Sequence, residues 1–136
     1  IANISGFSPV TLNLPPGNYE AVGLLVHNIN LTLKSNGSGA TLDALKHSRC
    51  FDVAHGGQLH LDHIHLINGR GSESGGSLLV RKGGRVTLSH STISDSVALG
   101  TNTRGGGIAA WEPTELVELL SGSSQERVYA TAISPD

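Results

Sequence analysis

Short bursts of alternating apolar residues return along this chain at a nearly constant interval, and few architectures tolerate that. Val26, Val53 and Val80 are 27 residues apart, with Ala110 a further 30 along. Leu31, Leu59 and Val86 follow at spacings of 28 and 27, and Leu66 and Ile93 at 27. Each burst spans only a few residues (Leu24-x-Val26, Leu31-x-Leu33, Phe51-x-Val53, Leu59-x-Leu61, Ile64-x-Leu66, Leu78-x-Val80, Val86-x-Leu88, Ile108-x-Ala110), the pattern of a short strand with one face inward. One repeat holds three such strands and cannot bury its own apolar side chains. Stacked repeats can, because each strand then pairs in parallel with its counterpart above and below. Helical repeats would need a 3.6-residue period inside each unit, which is absent. The repeat therefore predicts an all-β solenoid, a parallel β-helix of about four rungs of 27–30 residues with three short strands each. At about 4.8 Å per rung it would stand roughly 20 Å tall.

Alternation assigns the faces. Phe51, Val53, Leu59, Leu61, Ile64, Leu66, Leu78, Val80, Val86, Leu88 and Ile93 point inward. Asp52, His60, His63, His65, Leu79, Arg81, Thr87, His90 and Thr92 point outward, and so does Cys50, which alternation sets outside beside Phe51. Glycines cluster where strands join, at Gly56-Gly57, Gly75-Gly76, Gly83-Gly84 and Gly105-Gly106-Gly107, as expected where positive φ or close backbone approach excludes a β-carbon. Asn68 and Asp95, again 27 apart, read as turn residues bonding their own backbone.

Composition bounds the function. The 136 residues suit a single domain, with 10–110 holding the clear rungs. Charged residues are only 15%, against about 25% in typical domains, so this is no self-repelling disordered tail. A net charge of −2 gives no footprint for nucleic acid, and no apolar run approaches the roughly 20 residues of a membrane span. The single cysteine excludes an internal disulfide and a cysteine-type zinc cluster. Neither a signal peptide nor an amphipathic capping helix is recognisable, and the expectation is a segment of a longer chain. Asn3, Asn30 and Asn36 begin Asn-x-Ser/Thr triplets, which become glycan acceptors if the chain is secreted by a eukaryote.

The runs Phe51-Asp52-Val53-Ala54-His55-Gly56-Gly57-Gln58-Leu59-His60-Leu61, Leu66-Ile67-Asn68-Gly69-Arg70, Gly75-Gly76-Ser77-Leu78, Ser91-Thr92-Ile93-Ser94-Asp95 and Gly105-Gly106-Gly107-Ile108 together resemble right-handed parallel β-helices of the pectate-lyase-like superfamily. The likeness is closest to its surface-protein branch, which includes polymorphic outer-membrane-type proteins, and it covers roughly residues 10–110. Leu14-Pro15-Pro16-Gly17-Asn18-Tyr19 is similar to the turn that opens the first full rung in many of these proteins. The resemblance implies a right-handed coil and an extracellular or cell-surface location. For activity it implies little, because the superfamily spans lyases, hydrolases, adhesins and inert fibres.

Residues 111–136 read in two ways. In one, 111–126 is an insertion in which Pro113–Leu120 forms a short helix closed by Gly122. Arg127-Val128-Tyr129-Ala130 then echoes Arg85-Val86-Thr87-Leu88, Ala132-Ile133-Ser134 echoes Thr92-Ile93-Ser94, and 127–136 supplies the last strands. In the other, Leu116 is the next-rung partner of Val86, 30 residues on.

Three groups of residues are candidates for chemistry. His63 and His90, one period apart, with His65 two residues along, could share a transition-metal ion; the plainer account is a row of polar residues facing water. Asp62 is set aside as a ligand, because alternation points it away. Arg70, Glu73 and Arg104 lie on loops leaving one corner on successive rungs, where the arginines could bind uronate carboxylates in bidentate fashion. Asp52 and Arg81 form a further ligand candidate whose simpler reading is a salt bridge. The superfamily's lyases hold calcium with several acidic residues, and its hydrolases use clustered aspartates. Here Asp43, Asp52, Asp62, Glu73 and Asp95 are scattered, so no catalytic residue is assigned and no cofactor is expected. A threonine ladder of the ice-binding kind fails because His60 interrupts Thr32 and Thr87.

The resulting expectation is a non-catalytic structural or adhesion segment of a secreted or cell-surface β-helix glycoprotein, with glycans or other protein chains as partners. The alternatives are a fragment of a polysaccharide lyase or glycoside hydrolase, and a subunit of a stacked assembly joined through open solenoid ends.

Overall fold

A computed structural model of the chain describes residues 9–71, 75–99, 107–110, 116–119 and 124–128. Every regular element in it is a strand and every strand pairing is parallel. The strands are β1 (Val10–Asn13), β2 (Gly17–Glu20), β3 (Leu24–His27), β4 (Asn30–Lys34), β5 (Ala40–Asp43), β6 (Phe51–Ala54), β7 (Gln58–Asp62), β8 (Ile64–Ile67), β9 (Arg70–Gly71), β10 (Leu78–Val80), β11 (Arg85–Ser89), β12 (Thr92–Ala98), β13 (Ile108–Ala110), β14 (Leu116–Leu119) and β15 (Ser124–Val128). They stack in three sheets: β3-β6-β10-β13, β1-β4-β7-β11-β14, and β2-β5-β8-β12, the last joined at β12 by β9 and β15. The chain thus winds as a β-solenoid. Three full turns (β3–β5, β6–β8 and β10–β12) lie between the pair β1–β2 and the final set β13–β15. No helix long and apolar enough to cross a membrane occurs among the described residues.

Register explains the period. Val26 pairs with Val53, Val53 with Val80 and Val80 with Ala110; Leu31 pairs with Leu59 and Leu59 with Val86; Leu66 pairs with Ile93. In-register parallel pairing puts each side chain above its counterpart, so equivalent positions share one environment and select one residue type. All eleven residues assigned inward are at most 1% exposed. Burial weakens toward β1 and β3, where Val10 and Leu12 are each 48% exposed and Leu25 is 62% exposed. Leu79 departs from its expected exposure: it lies on the outward pleat yet is buried, with the Gly75 backbone passing close to its Cα.

The corners carry the left-handed backbone. Asn28, His55 and Lys82 have φ of 56°, 51° and 51° at the same corner of successive turns. Gly56 and Gly83 follow with φ of 74° and 80°, so here glycine does supply the positive φ. Their neighbours Gly57 and Gly84 serve the other purpose, close approach to the turn below. The first of these corners passes from Val26 to Leu31 through Asn28-Ile29, with Ile29 at the place of Gly57 and no residue at that of Gly56, which accounts for the 28-residue step between Leu31 and Leu59. Asn68 and Asp95 also have positive φ, at 58° and 55°. The Asn68 amide, however, donates to Asp43 Oδ1 on the preceding turn (3.1 Å) instead of bonding its own backbone.

Cys50 is a correction: it is fully buried. The backbone N–H groups of both Cys50 and Phe51 donate to the Ser77 carbonyl, and those of Ser77 and Leu78 both donate to the Gly107 carbonyl. Two residues facing one acceptor break the pleat as a bulge does, so alternation does not extend back from Phe51. Burial pushes the Cys50 thiol up from 9.0 to about 12, the Asp43 charge adds to this, and a hydrogen bond with Ser77 opposes it. The native thiol should therefore resist alkylation at about pH 8 and react fully once the chain is unfolded. Because the folded state holds this proton more tightly than the unfolded state, its stabilising contribution is complete below about pH 9. It then declines toward about pH 12 by up to about 1.4 kcal/mol per pH unit. Native-state labelling as fast as that of the unfolded chain would contradict this placement.

The C-terminal part also differs from the sequence reading. Leu116–Leu119 is a strand, with Leu116 opposite Arg85 and Val117 opposite Val86. Leu116 is therefore one position out of the column proposed for it, and residues 116–119 are extended where the short helix was expected. β15 pairs with β12, placing Ser124 opposite Thr92 and Val128 opposite Ser96, so Arg127-Val128 does not repeat Arg85-Val86. Ala132-Ile133-Ser134 lies outside the described residues.

Candidate functional site: a histidine–aspartate corner

A single residue, His63, joins β7 to β8, and its φ of 58° is the reason a site exists here. One left-handed residue resets the pleat, so Asp62 and His63, adjacent in sequence, stay side by side on the outer surface. One turn later His90 occupies the same position with φ of 51°. The two imidazoles stack with centroids 4.7 Å apart and planes 15° from parallel, as in-register turns require. Asp62 Oδ1 lies 2.9 Å from His63 Nδ1 and 3.5 Å from His90 Nδ1. Ser89 Oγ is 3.1 Å from His90 Nδ1. All three side chains are partly open to solvent, at 37% for Asp62 and His63 and 50% for His90.

His65, the third member of the triad expected from sequence, is elsewhere. Its Nε2 donates to the Ser38 carbonyl (3.1 Å), and its Nδ1 is hydrogen-bonded to the Thr92 hydroxyl (2.8 Å). Both ring nitrogens are thus used in tying three successive turns together. Asp62 takes its place beside His63 and His90. Alternation carried through the corner points Asp62 away, whereas the single residue separating the two strand patterns is the sequence signal that the pleat resets there.

Asp52 and Arg81 meet each other. Arg81 Nη2 and Nε lie 3.0 and 3.3 Å from the two Asp52 oxygens, a bidentate pair whose hydrogen bonding holds the guanidinium proton more tightly still. His27 Nε2 is 3.7 Å from the same carboxylate, and His27 meets His55 edge-on at 4.9 Å. At the surface such a pair contributes under about 1 kcal/mol. Arg70 lies exposed in β9, its backbone N–H bonded to the Ser48 carbonyl (2.9 Å). Glu73, Arg104 and Asn3 lie outside the described residues. Of the remaining glycan candidates, Asn36 is exposed on the turn after β4, while Asn30 is half-buried at the start of β4. Asp43 is engaged inside its own corner, accepting from the Leu45 N–H (2.7 Å) and from Asn68. A groove of about 570 Å³ between Asn13–Pro16 and Lys34–Asn36 presents proline and amide groups with Lys34 as its charge, and offers no acid–base pair.

No protein-family model, curated protein or solved structure matches this chain.

Proposed function

We propose that this chain is a non-catalytic structural or adhesion segment of a secreted or cell-surface protein, a right-handed β-helix of the pectate-lyase-like kind that presents its corners to glycans or other chains. The observation that supports this reading most is the unbroken parallel ladder around an interior of like-on-like columns, Phe51 over Leu78 over Ile108 and Leu61 over Leu88. A wall of this kind resists deformation while its corner loops vary freely. The engagement of Asp43 and Asp52 by neighbouring side chains also favours a structural role, since a glycosidase needs a carboxyl pair free to act on substrate.

Incubation with polyuronates tests the reading against its enzymatic rival. Binding without unsaturated products or new reducing ends is expected. Product formation that disappears in Arg70→Ala would replace the structural reading with a lyase. A stacked assembly is the second reading, favoured by β3, which among the described residues ends its sheet with Leu24 and Leu25 exposed at 45% and 62%. Concentration-dependent mass in solution would establish it.

A further inference from the structure

We propose that Asp62, His63 and His90 form a binding site for one divalent transition-metal ion of the zinc type, independent of the role assigned to the chain as a whole. The donor atoms are two imidazole nitrogens and a carboxylate oxygen, all within 4.8 Å of one another. Zinc binds such donors at about 2.0–2.2 Å, which in a tetrahedron sets neighbouring donors roughly 3.3–3.5 Å apart. Asp62 Oδ1 is already 3.5 Å from His90 Nδ1, and its 2.9 Å separation from His63 Nδ1 needs to open by only a few tenths of an ångström. Two imidazoles select zinc, copper or nickel over calcium or magnesium, which prefer all-oxygen shells.

The fold fixes the two backbones, and the imidazoles, stacked 4.7 Å apart and 15° from parallel, turn about their side-chain bonds so that their in-plane lone pairs converge on one ion. His63 and His90 are held by equivalent left-handed corners on consecutive turns, so their relative position is set by the ladder instead of by a mobile loop. His63 Nδ1 and His90 Nδ1 both face the same carboxylate oxygen, and the partial exposure of all three side chains leaves a fourth position for water and a path of entry. Ser89 Oγ, beside His90 Nδ1, can turn from that nitrogen to the bound carboxylate. Register also sets Lys34 opposite Asp62 on the turn below, and its positive charge lowers the affinity of the site.

Titration of the full chain with zinc chloride by calorimetry tests this, read alongside the ring nitrogen signals of the histidines by NMR. One equivalent of zinc is expected, shifting the His63 and His90 nitrogens and leaving those of His65 in place. Asp62→Asn, His63→Asn and His90→Asn should each weaken binding at least about tenfold, asparagine being chosen at 63 and 90 because it accepts the left-handed backbone. His60→Ala should bind as the parent does. Circular dichroism confirms that each variant is folded, and a variant that is not is replaced by His63→Gln or His90→Gln. Absence of saturable binding, or equal loss in His60→Ala, would overturn the proposal.

Discussion

Phe51→Ala should destabilise the chain by about 3–5 kcal/mol, read as a lower denaturant midpoint with the slope of the transition unchanged. Phe51 is fully buried, and its column runs from Leu24 through Leu78 to Ile108. Truncation removes the transfer energy of the ring and also leaves a void, because the neighbours above and below are fixed by backbone ladders and cannot collapse into it. A loss under about 1 kcal/mol would mean that this column is not packed as described.

Gly57→Ala is expected to cost about 3 kcal/mol or more, although Gly57 does not have a positive φ. A β-carbon there would lie 2.0 Å from the Val26 carbonyl oxygen and 2.8 Å from its carbon. Both atoms are backbone on the turn below, so no side chain can swing aside, and the ladder itself must separate. Gly84 stands in the same relation to the Val53 oxygen, at 2.4 Å. Gly56 makes the comparison informative. Its φ is 74°, but a β-carbon would meet nothing within 4 Å, so Gly56→Ala should cost only the left-handed backbone penalty of about 1–2 kcal/mol. Equal losses at 56 and 57, measured by denaturant unfolding, would contradict the close contact between turns.

The architecture was legible because in-register stacking writes itself into the sequence: Val26, Val53 and Val80 are alike since each occupies the place of the one below. What alternation could not convey is how the chain leaves a strand. At Cys50 two amides share one carbonyl and the pleat is interrupted, so a residue assigned outward is buried. At His63 a single left-handed residue resets the pleat, so Asp62 lies with His63 and His90 while His65 is drawn away to Ser38 and Thr92. At the last turn Val117, not Leu116, stands opposite Val86, because the step from Ala110 to Val117 is one residue longer than that from Val80 to Val86. The histidine–aspartate corner was thus half visible, its histidines through their period and its carboxylate only through the backbone.

The parallel ladder is the central claim, and through-hydrogen-bond scalar couplings in a uniformly labelled sample observe it directly. Correlations are predicted from the Gln58 amide nitrogen to the Ile29 carbonyl carbon, from Arg85 to Gly57, from Arg81 to Val53 and from His63 to Ser89. Couplings that instead joined sequence-adjacent strands in hairpins, or that were displaced from these partners, would contradict the solenoid and everything built on its corners.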